Sequence, residues 1–380
     1  MLQNDILLKH LSTVMDPELG VNIVDLGMVK DITYTNSEVT IDLALTIAEC
    51  PMRNQIETEI KRKLKLIENI KEVFINVVAM SKEDRSSLMT IARKNARDKA
   101  IPTNINSRTR VVAVGSGKGG VGKSTISTNL AVGLESLGFT TGLLDADIWG
   151  CSIPQMLGLS GRLEGNEETR RIKPIEKQAG SGVLKIVSMG FLITEESSSL
   201  NWRGLILNRA VRHFLEDVEW GHLDYLIIDM PPGTGDVQMG LAKMLPRSDM
   251  IVVTTPSKTV QNVAARVANM ARSYYLRIAG VIENMSYFVN ETDEKYFIFG
   301  RGGGQELARE LGVPLLGSVP IDENVSKGSD EGNPVILSDG QASLALNTIV
   351  DVIINEAIPL NKITDCSAYI EQETAVQLNK

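Results

Sequence analysis

Cysteine is scarce in this chain of 380 residues: Cys50, Cys151 and Cys366 lie far apart and are odd in number. That excludes a disulfide framework and fits a reducing compartment. Aromatic residues make up 4%, too few for a nucleic-acid surface built from stacked rings. Basic charge is not in excess either. A net charge of −8 and a pI near 5.2 argue against a chain-wide footprint for DNA, RNA or anionic lipid. No apolar run approaches the roughly 20 residues that span a bilayer. The opening MLQNDILLKHLSTVMDPELG lacks a basic leader followed by an apolar core and a small-residue cleavage site. The expectation is a cytoplasmic protein with no membrane partner and with nucleic acid disfavoured.

What is present is ordinary for a globular protein, 43% hydrophobic and 23% charged, and long enough for two domains. Residues 1–80 predict a small α+β domain. NDILLKHLSTVMDPE spaces Ile6, Leu7, Leu11 and Val14 like a helix, and EVTIDLALT alternates like a strand. NQIETEIKRKLKLI puts Ile56, Ile60, Leu64 and Ile67 on one helical face, and EVFINVVAM is a second strand. Residues 81–108 read as a basic linker with a short helix. From Ser81 to Arg110, eight Lys/Arg stand against three acids, a solvated connector or a partner patch.

Residues 109–360 alternate apolar strands with amphipathic helices. RVVAVGS, TGLLDADI, VLKIVSMG, DYLIIDMP, MIVVTTPS, RIAGVIENM and PLLGSVPI are near-continuous apolar runs, the mark of strands buried on both faces. The fold class is therefore α/β, a doubly wound, mostly parallel sheet preceded by the small α+β domain. Residues 361–380 form a polar tail.

The chemistry centres on SGKGGVGKST at 116–125. It follows the strand VVAV and precedes a helix-patterned segment that stops at Gly138, and Gly117 to Ser124 matches G-x-x-x-x-G-K-S in full. Gly117, Gly119, Gly120 and Gly122, with Val121 among them, let the backbone curl its N–H groups inward while a helix N-terminus adds positive potential. Lys123 is placed to reach the β- and γ-phosphates of ATP, Ser124 to ligate Mg²⁺, and Thr125 to meet the α-phosphate side. Asp229, ending DYLIID, suits second-shell support of the Mg²⁺, and Gly233, Gly235 and Asp236 in PPGTGD form a loop able to report hydrolysis by moving. In LLDADIWG, Asp145 and Asp147 share a side; Asp147 is chosen to position the attacking water, with a helix N-cap as the bland alternative. A phosphate loop needs one lysine, yet Lys118 stands five residues before Lys123.

GKGGVGKS resembles the deviant phosphate loop of the septum-positioning, plasmid-partitioning and arsenite-pump ATPases and nitrogenase iron protein. The resemblance implies that Lys118 crosses a homodimer interface to the partner's nucleotide. DADIWGCSIPQMLG, WRG at 202–204, GVIENMSYF, FGRGGGQELARELGVPLLGSVPID and GNPVI resemble the Mrp/ApbC-type ATPases, the iron–sulfur cluster carriers, across nearly all of 108–340. DPELGVNIVDLGMV and LTIAECP are similar to the small domain of iron–sulfur assembly systems. By this resemblance Asn284 contacts adenine, the region of Pro320, Ile321 and Asp322 closes over the base, and iron–sulfur assembly or client proteins are partners.

One departure concerns the cargo. Such carriers usually continue ENMSYF with a Cys-x-x-Cys pair that holds a [4Fe–4S] cluster across a dimer, whereas here ENMSYFVNETDEKYFIFG follows and no cysteine lies between 152 and 365. Cys50, in the Thr46 to Pro51 pattern T-x-x-x-C-P, reads either as a reactive or transient ligand or as a buried small residue. Cys151 reads as structural and Cys366 as incidental, and His10, His213 and His222 show no ligand spacing. The expectation is a slow, Mg²⁺-dependent, homodimeric ATPase of iron–sulfur cluster assembly or delivery. Two alternatives are a regulatory or scaffolding switch without its own cluster and a partition-type positioning ATPase.

Overall fold

The computed structural model describes residues 2–17, 21–45, 53–67, 69–98, 103–147, 150–191, 204–233, 236–274 and 276–360. The chain divides into two compact units, Met1–Ala100 and Ile101–Lys380.

The first unit runs α1 (Leu2–Leu11), β1 (Val29–Thr35), β2 (Glu38–Leu45), α2 (Arg53–Leu64), β3 (Glu72–Ala79) and α3 (Lys82–Asp98). Strand β2 is central, antiparallel to β1 and parallel to β3. Its alternation puts Val39, Ile41, Leu43 and Leu45 on the core face, and the four-residue spacing of Ile56, Ile60 and Leu64 brings one face of α2 onto them. Ile6 of α1, by contrast, is exposed. Strand β1 escapes the apolar patterns because VKDITYT lies on the sheet edge with half its residues in solvent. Helix α3 has 17 residues, longer than the short helix expected there, and Leu88 anchors it in the first unit's core.

The second unit opens with β4 (Arg110–Ser116), α4 (Lys123–Ser136), β5 (Thr140–Asp145) and α5 (Ile153–Met156). A two-residue ladder of β6 (Glu164–Gly165) and β7 (Ile172–Lys173) precedes β8 (Ile175–Lys177) and β9 (Val183–Ser188). Next come α6 (Gly204–Glu216), β10 (Tyr225–Asp229), α7 (Asp236–Met244), β11 (Asp249–Thr254), α8 (Lys258–Ser273) and β12 (Arg277–Glu283). The chain then forms a hairpin of β13 (Phe288–Val289) and β14 (Lys295–Tyr296), followed by α9 (Gly303–Leu311), β15 (Leu315–Ser318), α10 (Glu323–Glu331) and α11 (Gln341–Val352).

Eight strands form one sheet in the order β15-β12-β11-β4-β10-β5-β9-β8. The seven predicted apolar runs are its parallel members; β8 is antiparallel to β9 at the edge. Alternate residues of β4 feed opposite layers: Val112 and Val114 pack with α4 and α11, Val111 and Ala113 with α6 and α7. Helices α8 and α9 extend the second layer over β11 and β12. This is the doubly wound α/β sheet, with a small α+β unit ahead of it. Among the described residues no helix is long and apolar enough to cross a membrane.

Candidate nucleotide site

The carboxyl ends of β4, β5 and β10 converge where a doubly wound sheet binds ligands, and the phosphate loop leaves β4 there to enter α4 at Lys123. Two of its glycines are dictated by space. At Gly117 an added Cβ would lie 2.4 Å from the Ala264 nitrogen of α8, and at Gly122 it would lie 2.2 Å from the Asn284 amide nitrogen. Gly122 also has φ +79°, which side chains rarely adopt. As the N-cap of α4 it offers no side-chain acceptor, so the first-turn N–H groups stay available to an anion. Gly119, Gly120 and Lys118 are exposed, Val121 is buried, and Thr125 is half-buried.

Asn284 directly follows β12, its own N–H donated to the Thr254 carbonyl at 2.8 Å. Its side-chain Nδ2 donates to the Val121 carbonyl at 2.9 Å, so the structure places this residue beneath the loop as a brace. Ile321, expected near the base, donates its N–H to the Tyr287 carbonyl at 2.7 Å.

Lys123 is buried, its Nζ 2.7 Å from Asp229 and 3.8 Å from Asp147. Asp229, fully buried, accepts the Ser124 hydroxyl at 2.6 Å and the Ser127 hydroxyl at 2.7 Å. Beside it in register on β5, Asp145 accepts the Ser188 hydroxyl at 2.7 Å and the Asp147 N–H at 3.1 Å. Burial, and then the charge of Asp229, push Asp145 up to about 7. Asp229 and Asp147 thus share one buried lysine, with Asp145 beside them, and Asp147 borders the cleft. Ser127 and Ser188 were not singled out by the sequence; the signal available for Ser127 was its place one helical turn after Ser124.

The cleft measures about 370 Å³, floored by the loop from Lys118 to Thr125 and walled by Asp147, Ser152, Met156 and Pro232. A larger, shallower hollow of about 450 Å³ lies at the amino ends of the strands, among residues 103–106, Arg171, Glu219 and Gly221, remote from these carboxylates. The smaller cleft brings together the loop amides, the lysine and the carboxylates, the groups that phosphate chemistry uses. Among the described residues no group of three or more His, Cys, Asp or Glu is arranged to hold a metal ion. One hydroxyl and nearby carboxylates do fit Mg²⁺, a hard cation that takes its remaining ligands from phosphate and water.

Where the resembling carriers place their Cys-x-x-Cys, β13 and β14 close on themselves. The Asn290 Oδ1 accepts the Thr292 and Glu294 N–H groups, each at 2.9 Å, and the Thr292 hydroxyl at 2.8 Å. Lys295 lies 4.2 Å from the Tyr287 ring centroid and Arg301 4.6 Å from that of Phe297, while Phe288, Tyr296 and Phe299 are exposed. Among the described residues Cys151 is the free cysteine, and burial, then the charge of Asp145, push its thiol up, away from reactive thiolate. Among the described residues of this unit no thiolate set for a cluster is therefore assembled. Cys50 with its Thr46 to Pro51 pattern, Trp202 and Arg203, Gly235 and the tail with Cys366 lie outside the described residues, and the Asp236 side chain is likewise not described. His10 is half-buried and His213 exposed, and His213 pairs with Asp217 at 2.5 Å.

Residues 107–355 match the family model described as NUBPL iron-transfer P-loop NTPase, and residues 5–77 match that of an iron-sulfur cluster assembly protein. The iron-sulfur cluster carrier protein of Synechocystis sp. is 38% identical over 91% of this chain and 94% of its own length. That of Mycobacterium leprae is 39% identical over 90% of each. A nucleotide-binding protein from Archaeoglobus fulgidus, solved with ADP, is 34% identical over 63% of this chain and 90% of its own, with a TM-score of 0.48.

Proposed function

Because the chain belongs to the iron-transfer P-loop NTPase family that includes the iron–sulfur cluster carrier proteins, we propose that it is a Mg²⁺-dependent ATPase, acting as a homodimer in iron–sulfur cluster assembly or delivery. The observation that carries this reading is the cluster of Lys123, Ser124, Asp147 and Asp229 at the mouth of an uncapped helix. The triphosphate would lie along the loop amides, competing with Asp229 for Lys123. Mg²⁺, held by the Ser124 hydroxyl with Asp229 supporting its water shell, would neutralise phosphate charge. A water oxygen bonds the γ-phosphorus as the bond to the bridging oxygen breaks. Asp147 accepts a hydrogen bond from that water, and its own N–H, donated to Asp145, fixes its direction. Lys118, exposed at the cleft, is free to reach a partner's nucleotide, which makes the dimer part of the site. Adenine contact by Asn284 would use what its brace to Val121 leaves over.

The thiol-free hairpin supports a second reading, a nucleotide-driven switch that acts on cluster assembly without holding a cluster itself. Two measurements decide. Hydrolysis per chain should rise with protein concentration and fall at least tenfold in Lys118→Ala; a concentration-independent rate would remove the dimer from the mechanism. Iron and sulfide after anaerobic reconstitution of wild type and Cys50→Ser then separate the readings. Cluster lost in the variant assigns the cargo to the first unit, and none in either leaves the switch.

A further inference from the structure

The loop that follows Asp229 runs through Met230, Pro231, Pro232 and Gly233, with Pro232 in the cleft wall. Two prolines remove two donors, so few bonds can fix this stretch. Met230 donates its N–H to the Val114 carbonyl at 3.1 Å and Gly233 to the Ser116 carbonyl at 3.0 Å, both on β4. The third tie comes from outside the sheet. Gln238, in the first turn of α7 and fully buried, donates Nε2 to the Pro231 carbonyl at 2.5 Å.

The other half of that amide is unpaired. Gln238 Oε1 is buried without a hydrogen-bond partner. On the same helix, Gly240 receives the Asn208 side chain of α6 so closely that an added Cβ would meet its Oδ1 at 2.2 Å, and that oxygen too is unpartnered. A methionine at 238 would fill the same space with no unpaired oxygen of its own, losing only the bond to the half-buried Pro231 carbonyl. Buried polar atoms are nearly always satisfied, so a helix seated between two unpaired amide oxygens calls for a reason beyond packing.

We propose that Gln238 is a positioning residue that latches the loop after Asp229 to α7, and that its unpaired oxygen marks the present seat of α7 as one of two. The second seat is taken when a terminal phosphate, a stronger acceptor than a carbonyl, draws the Gly233 N–H off Ser116. Loop displacement then reaches α7 through the Pro231–Gln238 bond and α6 through the Asn208–Gly240 contact. The latch stands on geometry alone; its link to turnover rests on the ATPase reading above.

The test uses full-length wild type, Gln238→Met and Gln238→Glu. Without nucleotide, hydrogen exchange at Met230 and Gly233 should quicken at least tenfold in Gln238→Met while the thermal midpoint holds or rises; unchanged exchange overturns the latch. The non-hydrolysable analogue AMP-PNP with Mg²⁺ should change the protection of α7 amides at least threefold in wild type and not in Gln238→Met, and equal responses overturn the second seat. With ATP, Gln238→Met should lose at least tenfold in kcat with affinity held within threefold. Gln238→Glu should recover activity as pH falls, because only a protonated carboxyl can donate to Pro231. Parallel loss of affinity, rate and thermal midpoint would mean a scaffold role and overturn the proposal. Wild type that neither binds nor hydrolyses ATP would defeat the ATPase reading, while exchange without nucleotide still decides the latch.

Discussion

Replacing Gly122 by alanine should destabilise the second unit far more than the same change at its neighbours. The left-handed backbone at φ +79° costs a side chain about 1–2 kcal/mol. The new methyl would sit 2.2 Å from the Asn284 amide nitrogen, forcing it off the Val121 carbonyl and leaving a buried donor unpaired at about 1–3 kcal/mol. Alanine's smaller unfolded-state entropy returns about 0.4–1 kcal/mol. The net loss is about 1–5 kcal/mol, or roughly 2–8 °C in thermal midpoint for a unit of this size. Gly120, with φ +80° and open space, should lose only the backbone part, about 1 kcal/mol, and Gly119, with open space and no left-handed φ, less than about 0.5 kcal/mol. All three tryptophans, Trp149, Trp202 and Trp220, belong to the second unit, so denaturation followed by their fluorescence reads that unit alone. Equal midpoints for the Gly119 and Gly122 variants would refute the steric argument.

Lys123→Ala leaves Asp229 buried without its cation, and urea denaturation should show a loss of about 3–5 kcal/mol, most of it recovered when Asp229→Asn is added. Calorimetry should find nucleotide binding abolished in both. Asp145 is raised by burial, then by Asp229, from 3.8 to about 7, so the folded state holds a proton that the unfolded state releases. Its contribution is fully present below about pH 4 and is lost as pH rises through about 7, and Asp145→Asn should flatten that decline in a series of denaturation midpoints. A wild-type curve no steeper than the variant's between pH 4.5 and 7.5 would contradict the assignment.

The parallel strands were legible because burial on both faces imposes unbroken apolar runs, such as YLII and MIVV, that few other structures tolerate. Edge elements were not. β1 is half solvated, β8 has three residues, and β13 and β14 have two each, too short for any periodicity to register. At the site, Lys123, Ser124 and Asp229 are fixed by spacing that phosphate chemistry demands. Asn284 bonds a residue 163 positions away, and Gln238 lies in a helix whose pattern reads as plain packing. Contacts of that kind arise from tertiary closure, and local sequence carries no sign of them.

The Asn290 hairpin has a consequence for how the protein meets oxygen. Its closure uses an amide side chain and backbone N–H groups, none of which an oxidant or a chelator attacks. A hairpin closed by thiolates around iron would open when the cluster is destroyed, and the chain around it would have to be rebuilt. Here the same stretch is held by an amide and backbone N–H groups, so its shape does not depend on a bound metal.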